Sequence, residues 1–364
     1  MPVTVRSFAK INLGLRIGAA RPDGFHELLT VYQTIALHDI IRVSVHRGRG
    51  IEIVCTDPRV PRDESNTCYR IVDSALSALR AKGRVVVEIE KHLPVQGGLG
   101  GASTNAVATL LALERALKKT LPAAERFRIA AEVGSDLPLF LIGGIVLGVG
   151  RGEQVYPLPD LPAMPCVVVT PEVGVSTPRA FADWDRLCGA GTPAREAAPV
   201  QPGSERTAKQ NPAELRSAGQ PGTAVPTRAG NKLTPTPASD RMNELGCGLS
   251  AWLSEPYSSA PSNVVARGGR AGNPLLWLVR AGIKNDFEEV VFPEYPELCD
   301  GKRALMRAGA KYASLSGSGS TLYGLFASRP SALAAARKLR KQGWAARATA
   351  TLTRPQYWSR IFDC

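Results

Sequence analysis

Residues 94 to 106 read Pro94-Val95-Gln96-Gly97-Gly98-Leu99-Gly100-Gly101-Ala102-Ser103-Thr104-Asn105-Ala106, with four glycines in five consecutive positions. In front of this stretch the alternating run Val85-Val86-Val87-Glu88-Ile89-Glu90 predicts a strand, and behind it the apolar run from Ala106 to Leu117 predicts a helix. Strand, glycine loop and helix in that order suit a phosphate site. Glycine permits positive φ and close backbone approach, so loop and first-turn amides can converge on one anion while the helix dipole favours negative charge there. The stretch is not a Walker loop, because Ala102 follows Gly101 where that pattern needs Lys and then Ser or Thr. An ordinary connection with Ser103 or Thr104 as N-cap is the competing reading, and the glycine density weighs against it.

Upstream, Val3-Thr4-Val5-Arg6 alternates as a half-buried strand and leads to Lys10 and Asn12. Arg21-Pro22-Asp23-Gly24 is turn chemistry that presents Phe25 and His26 together. Strands are predicted at Tyr32 to Leu37 and Ile40 to Val45, and a helix at Cys68 to Leu79 with Asn66 placed to cap it. Lys91 ends the strand that enters the glycine loop.

Downstream, Ala123 to Val133 reads as a helix stopped by Gly134, with Ser135 as the N-cap of the next. Asp136 then sits in a first helical turn, where a carboxylate is favoured by the dipole alone. Cys166 to Thr170 is a buried-type strand, followed by a short helix carrying Thr177 and Phe181. From Gly189 to about Ala271 periodicity gives way to Pro, Gly, Ala, Ser and Thr, which cannot bury enough apolar surface to offset chain entropy. Periodic structure resumes with Asn285-Asp286-Phe287-Glu288 on an expected helix. The turn Leu315-Ser316-Gly317-Ser318-Gly319 then separates two strand-like runs, and an amphipathic helix at Ser331 to Gln342 precedes a last strand at Ala346 to Thr351.

The 364 residues are 44% hydrophobic and 21% charged, enough for two domains with ordinary cores. A net charge of +13 raises the question of polyanionic partners, but no aromatic-interleaved basic stripe accompanies it, so a solvated basic surface is preferred over nucleic-acid binding. Seven scattered cysteines, odd in number, argue against a disulfide scaffold or zinc site and for a reducing cytoplasm. No signal-peptide core and no membrane-length apolar run is present, and no carboxylate cage for a metal is visible. Oligomeric state leaves no trace in the sequence.

The glycine loop resembles that of the GHMP kinases, which has the form Pro-x-x-x-Gly-Leu-Gly-Ser/Gly-Ser-Ser; Ala102 departs from the pattern. Ala9 to Leu13, Arg21 to Leu28, Gly134 to Phe140, Leu315 to Gly319 and, more weakly, Asn285 to Glu288 agree in order, and are most similar to the isoprenoid-pathway branch. The resemblance implies a two-domain α+β fold, with residues 1–158 binding ATP. Residues 159–364 would form a second domain of helices on an antiparallel sheet, interrupted by a disordered insertion at about 190–270, with the active site in the cleft. It implies transfer of the ATP γ-phosphoryl group to the 2-hydroxyl of 4-diphosphocytidyl-2-C-methyl-D-erythritol. Lys10 and Asp136 would be catalytic. Residues 94 to 104 and Asn66 would hold ATP, although Asn66 could equally be only a cap. Asn12, Phe25, His26, Thr177, Phe181 and Gly317 would border the acceptor. Mg²⁺ is expected with ATP, with Ser103 a candidate ligand. A mevalonate, homoserine or sugar kinase would keep the glycine loop without needing Phe25 and His26, and a non-catalytic relative would be expected to lack Lys10 or Asp136.

Overall fold

The strand that starts at Val3 runs much further than its first four alternating residues suggest, buried on both faces beyond them. In the structure, a computed structural model describing residues 1–95, 97–189, 242, 245–247 and 283–362, β1 spans Val3–Ala20 and pairs antiparallel with β2, His26–His46. The two strands expected at 32–37 and 40–45 are thus one. Gln96 and nearly all of the expected insertion lie outside the described residues. The β1–β2 pairing shifts register between Phe8 and Lys10 and again between Asn12 and Gly14, so Lys10 and Asn12 sit between two irregularities. Such shifts re-aim side chains that a regular ladder would keep in line.

β2 is also the centre of the first sheet. That sheet runs β3 (Gly50–Cys55), β4 (Arg84–Glu90), β2, β5 (Ile145–Gly150) and β6 (Gln154–Pro157), with β1 attached to β2 and only β3 and β4 parallel. Helices α1 (Thr67–Ala78), α2 (Gly101–Leu117), α3 (Ala123–Val133) and the short α4 (Leu137–Phe140) close one core against it, around Val43, Val87, Ile71, Leu110 and Ile129. The second sheet is antiparallel throughout, in the order β10 (Ala346–Ala350), β7 (Pro165–Val169), β9 (Leu322–Leu325), β8 (Tyr312–Leu315). Around it pack α5 (Thr177–Leu187), α6 (Glu288–Glu294), α7 (Pro296–Arg307) and α8 (Arg329–Lys341). A third buried cluster joins the sheets: Ala9, Ile11 and Leu13 of β1 meet Val168, Tyr323 and Leu325. Among the described residues no helix is long and apolar enough to cross a membrane.

Three local expectations are corrected. Helix α2 starts at Gly101 with Gly100 as N-cap, ahead of Ser103 and Thr104, because the positive φ of Gly100 lets the chain turn into the helix earlier. Asp136, not Ser135, is the N-cap of α4, and its side chain makes no capping bond, which leaves the carboxylate for other partners. Asn285 and Asp286 precede helix α6 rather than lying in it: Asn285 bridges Leu15, and the Asp286 amide donates to Leu15 O at 3.0 Å.

The last helix, α9 (Arg354–Ile361), crosses back to the first core, where Tyr357 and Ile361 are buried and the Tyr357 hydroxyl donates to Phe140 O at 2.7 Å. A single boundary at 158 therefore leaves α9 with the wrong partner sheet. The return is short because Leu352 N already bonds Thr34 O at 2.9 Å, beside β2.

The seam between the sheets holds a buried ion pair. Arg16 Nη1 lies 2.9 Å from Asp286 Oδ1, and Ile17 N donates to Oδ2 at 2.9 Å, with both charged side chains nearly sealed from water. Removing one partner of a buried pair strands the other charge, at a cost of about 3–5 kcal/mol. Asp286→Ala should lose stability in that range in denaturant titrations, and a loss below about 1 kcal/mol would show that the seam does not depend on the pair.

Candidate active site

Asp39, on β2, organises the approach to the glycine loop. Its fully buried carboxylate accepts from Lys91 Nζ, His92 N and Leu93 N, each at 2.7 Å, and from Asn105 Nδ2 at 2.9 Å. It thereby ties the exit of β4 to the second turn of α2, on either side of residues 94–100. Charge-assisted bonds of this number offset the burial of the carboxylate. Within the loop Gly98 and Gly100 have φ of 74° and 68°, left-handed values suited to glycine.

The loop is gripped from both sides. Lys10 N donates to Leu99 O at 3.0 Å, and a Cβ on Gly100 would lie 3.0 Å from the Phe140 ring and 3.1 Å from Lys10 Cγ. Opposite, Ser316 Oγ donates to Gly98 O at 2.9 Å and Thr321 N to Gly97 O at 3.2 Å, and a Cβ on Gly98 would fall 2.1 Å from Ser316 O. Asn285 holds that β8–β9 turn in place by donating to Leu315 O at 2.9 Å and Gly317 O at 2.8 Å. No side chain caps the N-terminus of α2, so the amides of Gly101, Ala102 and Ser103 have no intrahelical acceptor and are available to an anion.

Beside that helix end the structure brings Lys10 and Asp136 together. Lys10 Nζ donates to Asn12 Oδ1 at 2.7 Å and lies 3.4 Å from Asp136 Oδ2, with Lys10 only 3% exposed and the Asp136 side chain 33% exposed. Asn12 Nδ2 donates to Thr30 Oγ1 at 2.8 Å, which donates to Gly14 O at 2.9 Å, fixing the amide orientation. Tyr32 OH donates to Asp136 Oδ1 at 3.1 Å. Burial, then the Asp136 charge and the bond to it, push the Tyr32 phenol well above its usual value, so it stays a donor at physiological pH. Asp136 thus has one oxygen held by Tyr32 and the other facing Lys10.

A cavity of about 420 Å³ runs from Asp136 along the loop, lined also by Asn66, Lys91, Pro94, Gly98 and Ser103. Asn66 also caps α1, accepting from Cys68 N at 2.8 Å. Pro94, Val95, Gly97, Gly101 and Ala102 line the cavity as well, whereas Leu99 and Thr104 point into the protein and are buried. Among the described residues there is no cluster of three His, Cys, Asp or Glu side chains that could hold a metal.

Of the expected acceptor residues, Phe25 and His26 lie at the β1–β2 turn and Thr177 and Phe181 on α5, while Asn12 and Gly317 lie beside Lys10. The His26 ring stacks on Phe181, with centroids 4.8 Å apart and planes at 11°, so these two share a face rather than flanking open space separately. Phe25 is 49% exposed, with the Arg151 guanidinium 5.0 Å from its ring centroid. Thr177 Oγ1 meets Ser318 Oγ at 2.7 Å, and a Cβ on Gly317 would lie 3.5 Å from Asn12 Oδ1 and 3.7 Å from Lys10 Nζ. Sequence reasoning missed Tyr32, Thr30 and Asp39, and also Asp185, whose Oδ1 lies 2.7 Å from His26 Nε2. Tyr32 and Thr30 read as ordinary strand residues, and only the β1–β2 register, which sets Tyr32 opposite Asn12, reveals their place.

Comparison with known proteins identifies the family. Residues 66–144 match the GHMP kinases N terminal domain and residues 275–344 the GHMP kinases C terminal domain. The 4-diphosphocytidyl-2-C-methyl-D-erythritol kinase of Solibacter usitatus is 34% identical over 325 residues, covering 89% of this chain and 81% of the relative. The enzyme of the same name from Acaryochloris marina is 32% identical, covering 90% of this chain and 88% of its own. A crystal structure of 4-(cytidine 5'-diphospho)-2C-methyl-D-erythritol kinase superposes with a TM-score of 0.63 at 25% identity, over 96% of this chain and 98% of that one. Homoserine kinase from Cytophaga hutchinsonii, at 17% identity and a TM-score of 0.63 over 97% of this chain and 95% of its own, shares the fold.

Two substitutions probe the site. Gly98→Ala adds a Cβ in a left-handed residue, at about 1–2 kcal/mol, and drives it into Ser316 O, so the loop must shift. ATP affinity by calorimetry should fall about tenfold or more while the fold persists, and unchanged affinity would mean the loop does not hold the nucleotide. Tyr32→Phe frees one Asp136 oxygen and should lower kcat more than it raises KM. Because the folded phenol titrates above its unfolded value of 10, its contribution to stability is present below pH 10 and lost as pH climbs through the folded value. The variant's melting temperature should therefore decline less steeply than the parent's on the alkaline side, and parallel declines would contradict the assignment.

Proposed function

We propose that this chain, which belongs to the GHMP kinase family, transfers the γ-phosphoryl group of ATP to the 2-hydroxyl of 4-diphosphocytidyl-2-C-methyl-D-erythritol, a step in isoprenoid precursor biosynthesis. The observation that carries the reading is the Lys10–Asp136 pair, 3.4 Å apart, of which Asp136 lines the glycine-loop cavity. Phosphoryl transfer is catalysed mainly by positioning and charge balance, and each element has a part in it. The amides of residues 97 to 103 hold the ATP phosphates at the start of α2, and the remaining loop residues and Asn66 border the nucleotide. Asp136, held by Tyr32, accepts or orients the proton of the acceptor hydroxyl. Lys10, aimed by Asn12, balances the carboxylate and the charge that develops on the transferred group.

The donor set suits a Mg²⁺ that arrives on the nucleotide rather than a resident ion. Ser103 and Asp136 line the cavity, but no metal-binding cluster exists among the described residues. When bound, the ion would neutralise phosphate charge, with Ser103 as its protein ligand. The first sheet and its helices bind ATP; the second sheet contributes the turn at Gly317 and the helix with Thr177 and Phe181 on the acceptor side. Cys55, Cys68, Cys166, Cys247 and Cys299 are free thiols, in keeping with work in a reducing cytoplasm. His26 stacked on Phe181, with the exposed Phe25 ring next in sequence, favours an acceptor bearing a base over mevalonate, homoserine or a sugar.

The test is phosphoryl transfer from ATP across that panel of acceptors. The cytidine-bearing acceptor should be used far better than methylerythritol phosphate, mevalonate or homoserine, and equal use would remove the proposed substrate. Asp136→Asn should lower kcat by about 10²–10⁴ with ATP affinity nearly intact. Near-normal turnover in the folded variant would reduce Asp136 to a partner of the helix dipole.

A further inference from the structure

We infer that Asp185 is a positioning residue for base recognition, fixing the His26 ring so that Nδ1 is the atom offered to the base of the acceptor. The inference rests on the cytidine-bearing acceptor proposed above. Thr177, Phe181 and Asp185 are spaced four apart on α5, so one face of the helix carries all three. Each reaches toward the same region: Thr177 to Ser318 at 2.7 Å, Phe181 flat against His26, and Asp185 Oδ1 to His26 Nε2 at 2.7 Å. Stacking sets the plane of the imidazole. The carboxylate sets its rotation within that plane.

The helix face is braced from behind. Trp184 is buried, the Phe181 ring meets Phe287 edge-on at 4.9 Å, and Arg179 pairs with Glu294 of α6. His26 is 8% exposed, and Asp185 is its only hydrogen-bonding partner among the described side chains, through Nε2. Nδ1 has no hydrogen-bond partner among the described residues and is not sealed from solvent, which leaves it open to a ligand.

A carboxylate only accepts, so Nε2 carries the hydrogen in this pair. The neutral imidazole then presents Nδ1 as an acceptor. Its complement is an exocyclic amine, which cytosine carries where uracil has a carbonyl. An acceptor atom facing that carbonyl would leave two lone pairs opposed and unpaired. The arrangement therefore selects a cytidine over a uridine diphosphate acceptor. Without Asp185 the ring can turn over on Phe181 and lose that preference.

The experiment compares the parent, Asp185→Ala and Asp185→Asn on the cytidine-bearing acceptor and its uridine analogue. Asp185→Ala should raise KM for the cytidine acceptor about tenfold or more and narrow the cytidine/uridine ratio of kcat/KM, leaving kcat and the KM for ATP within about twofold. Asp185→Asn, whose carboxamide oxygen still accepts the Nε2 hydrogen, should restore most of both. Nitrogen NMR of the folded parent should show His26 protonated at Nε2 and bare at Nδ1, which keeps the inference testable if the alanine variant does not fold. Unchanged KM and discrimination in Asp185→Ala, or a hydrogen on Nδ1 of the neutral ring in the parent, overturns the inference while leaving the kinase reading standing. A parent that ignores the cytidine acceptor overturns the proposed function itself.

Discussion

Everything in the site depends on how tightly the glycine loop is clamped between the two sheets. The loop runs between Lys10, whose amide bonds Leu99 O, and the β8–β9 turn, whose Ser316 and Thr321 bond Gly98 and Gly97. A side chain at Gly98 would overlap Ser316 O, and one at Gly100 would press on both Lys10 and Phe140. The glycines are therefore a packing requirement as much as a conformational one. The same contacts that shape the loop also fix its distance from Lys10, so the loop and the lysine cannot move independently.

The polar groups around this clamp are arranged so that each buried charge is compensated. Asp39 is satisfied by four donors, Arg16 and Asp286 neutralise each other at the seam, and Lys10 is shared between Asn12 and Asp136. Of these charged groups Asp136 is the one left substantially open to solvent and the cavity, which is what a group meeting a substrate hydroxyl requires. Buried networks of this kind trade stability for a defined geometry, because breaking one member exposes the rest to the cost of unpaired polarity.

Much of this was legible in the sequence. The strand–loop–helix around Gly98 and the helix at Ala123–Val133 follow from periodicity and glycine placement, and the α+β organisation from the resemblance to the GHMP kinases. What failed was non-local. The length of β1 and β2 was hidden because register shifts near Lys10 and Asn12 interrupt strict alternation. On its own residues Asp136 read as a dipole partner in a first turn, its pairing with Lys10 came from the resemblance, and only the fold places Tyr32, over a hundred residues earlier, against it. The return of α9 to the first core could not be read from its own amphipathic pattern, since either sheet could have received Tyr357. Asp185 gave no local signal, because its meaning comes from His26 on another element.

The most direct test of the account is a crystal structure of the protein with a non-hydrolysable ATP analogue and the cytidine-bearing acceptor. The account predicts the triphosphate on the amides of residues 97 to 103, with the terminal phosphate and the acceptor 2-hydroxyl both within hydrogen-bonding reach of the Lys10–Asp136 pair. A nucleotide bound away from the loop, or an acceptor hydroxyl well removed from Asp136, would contradict it.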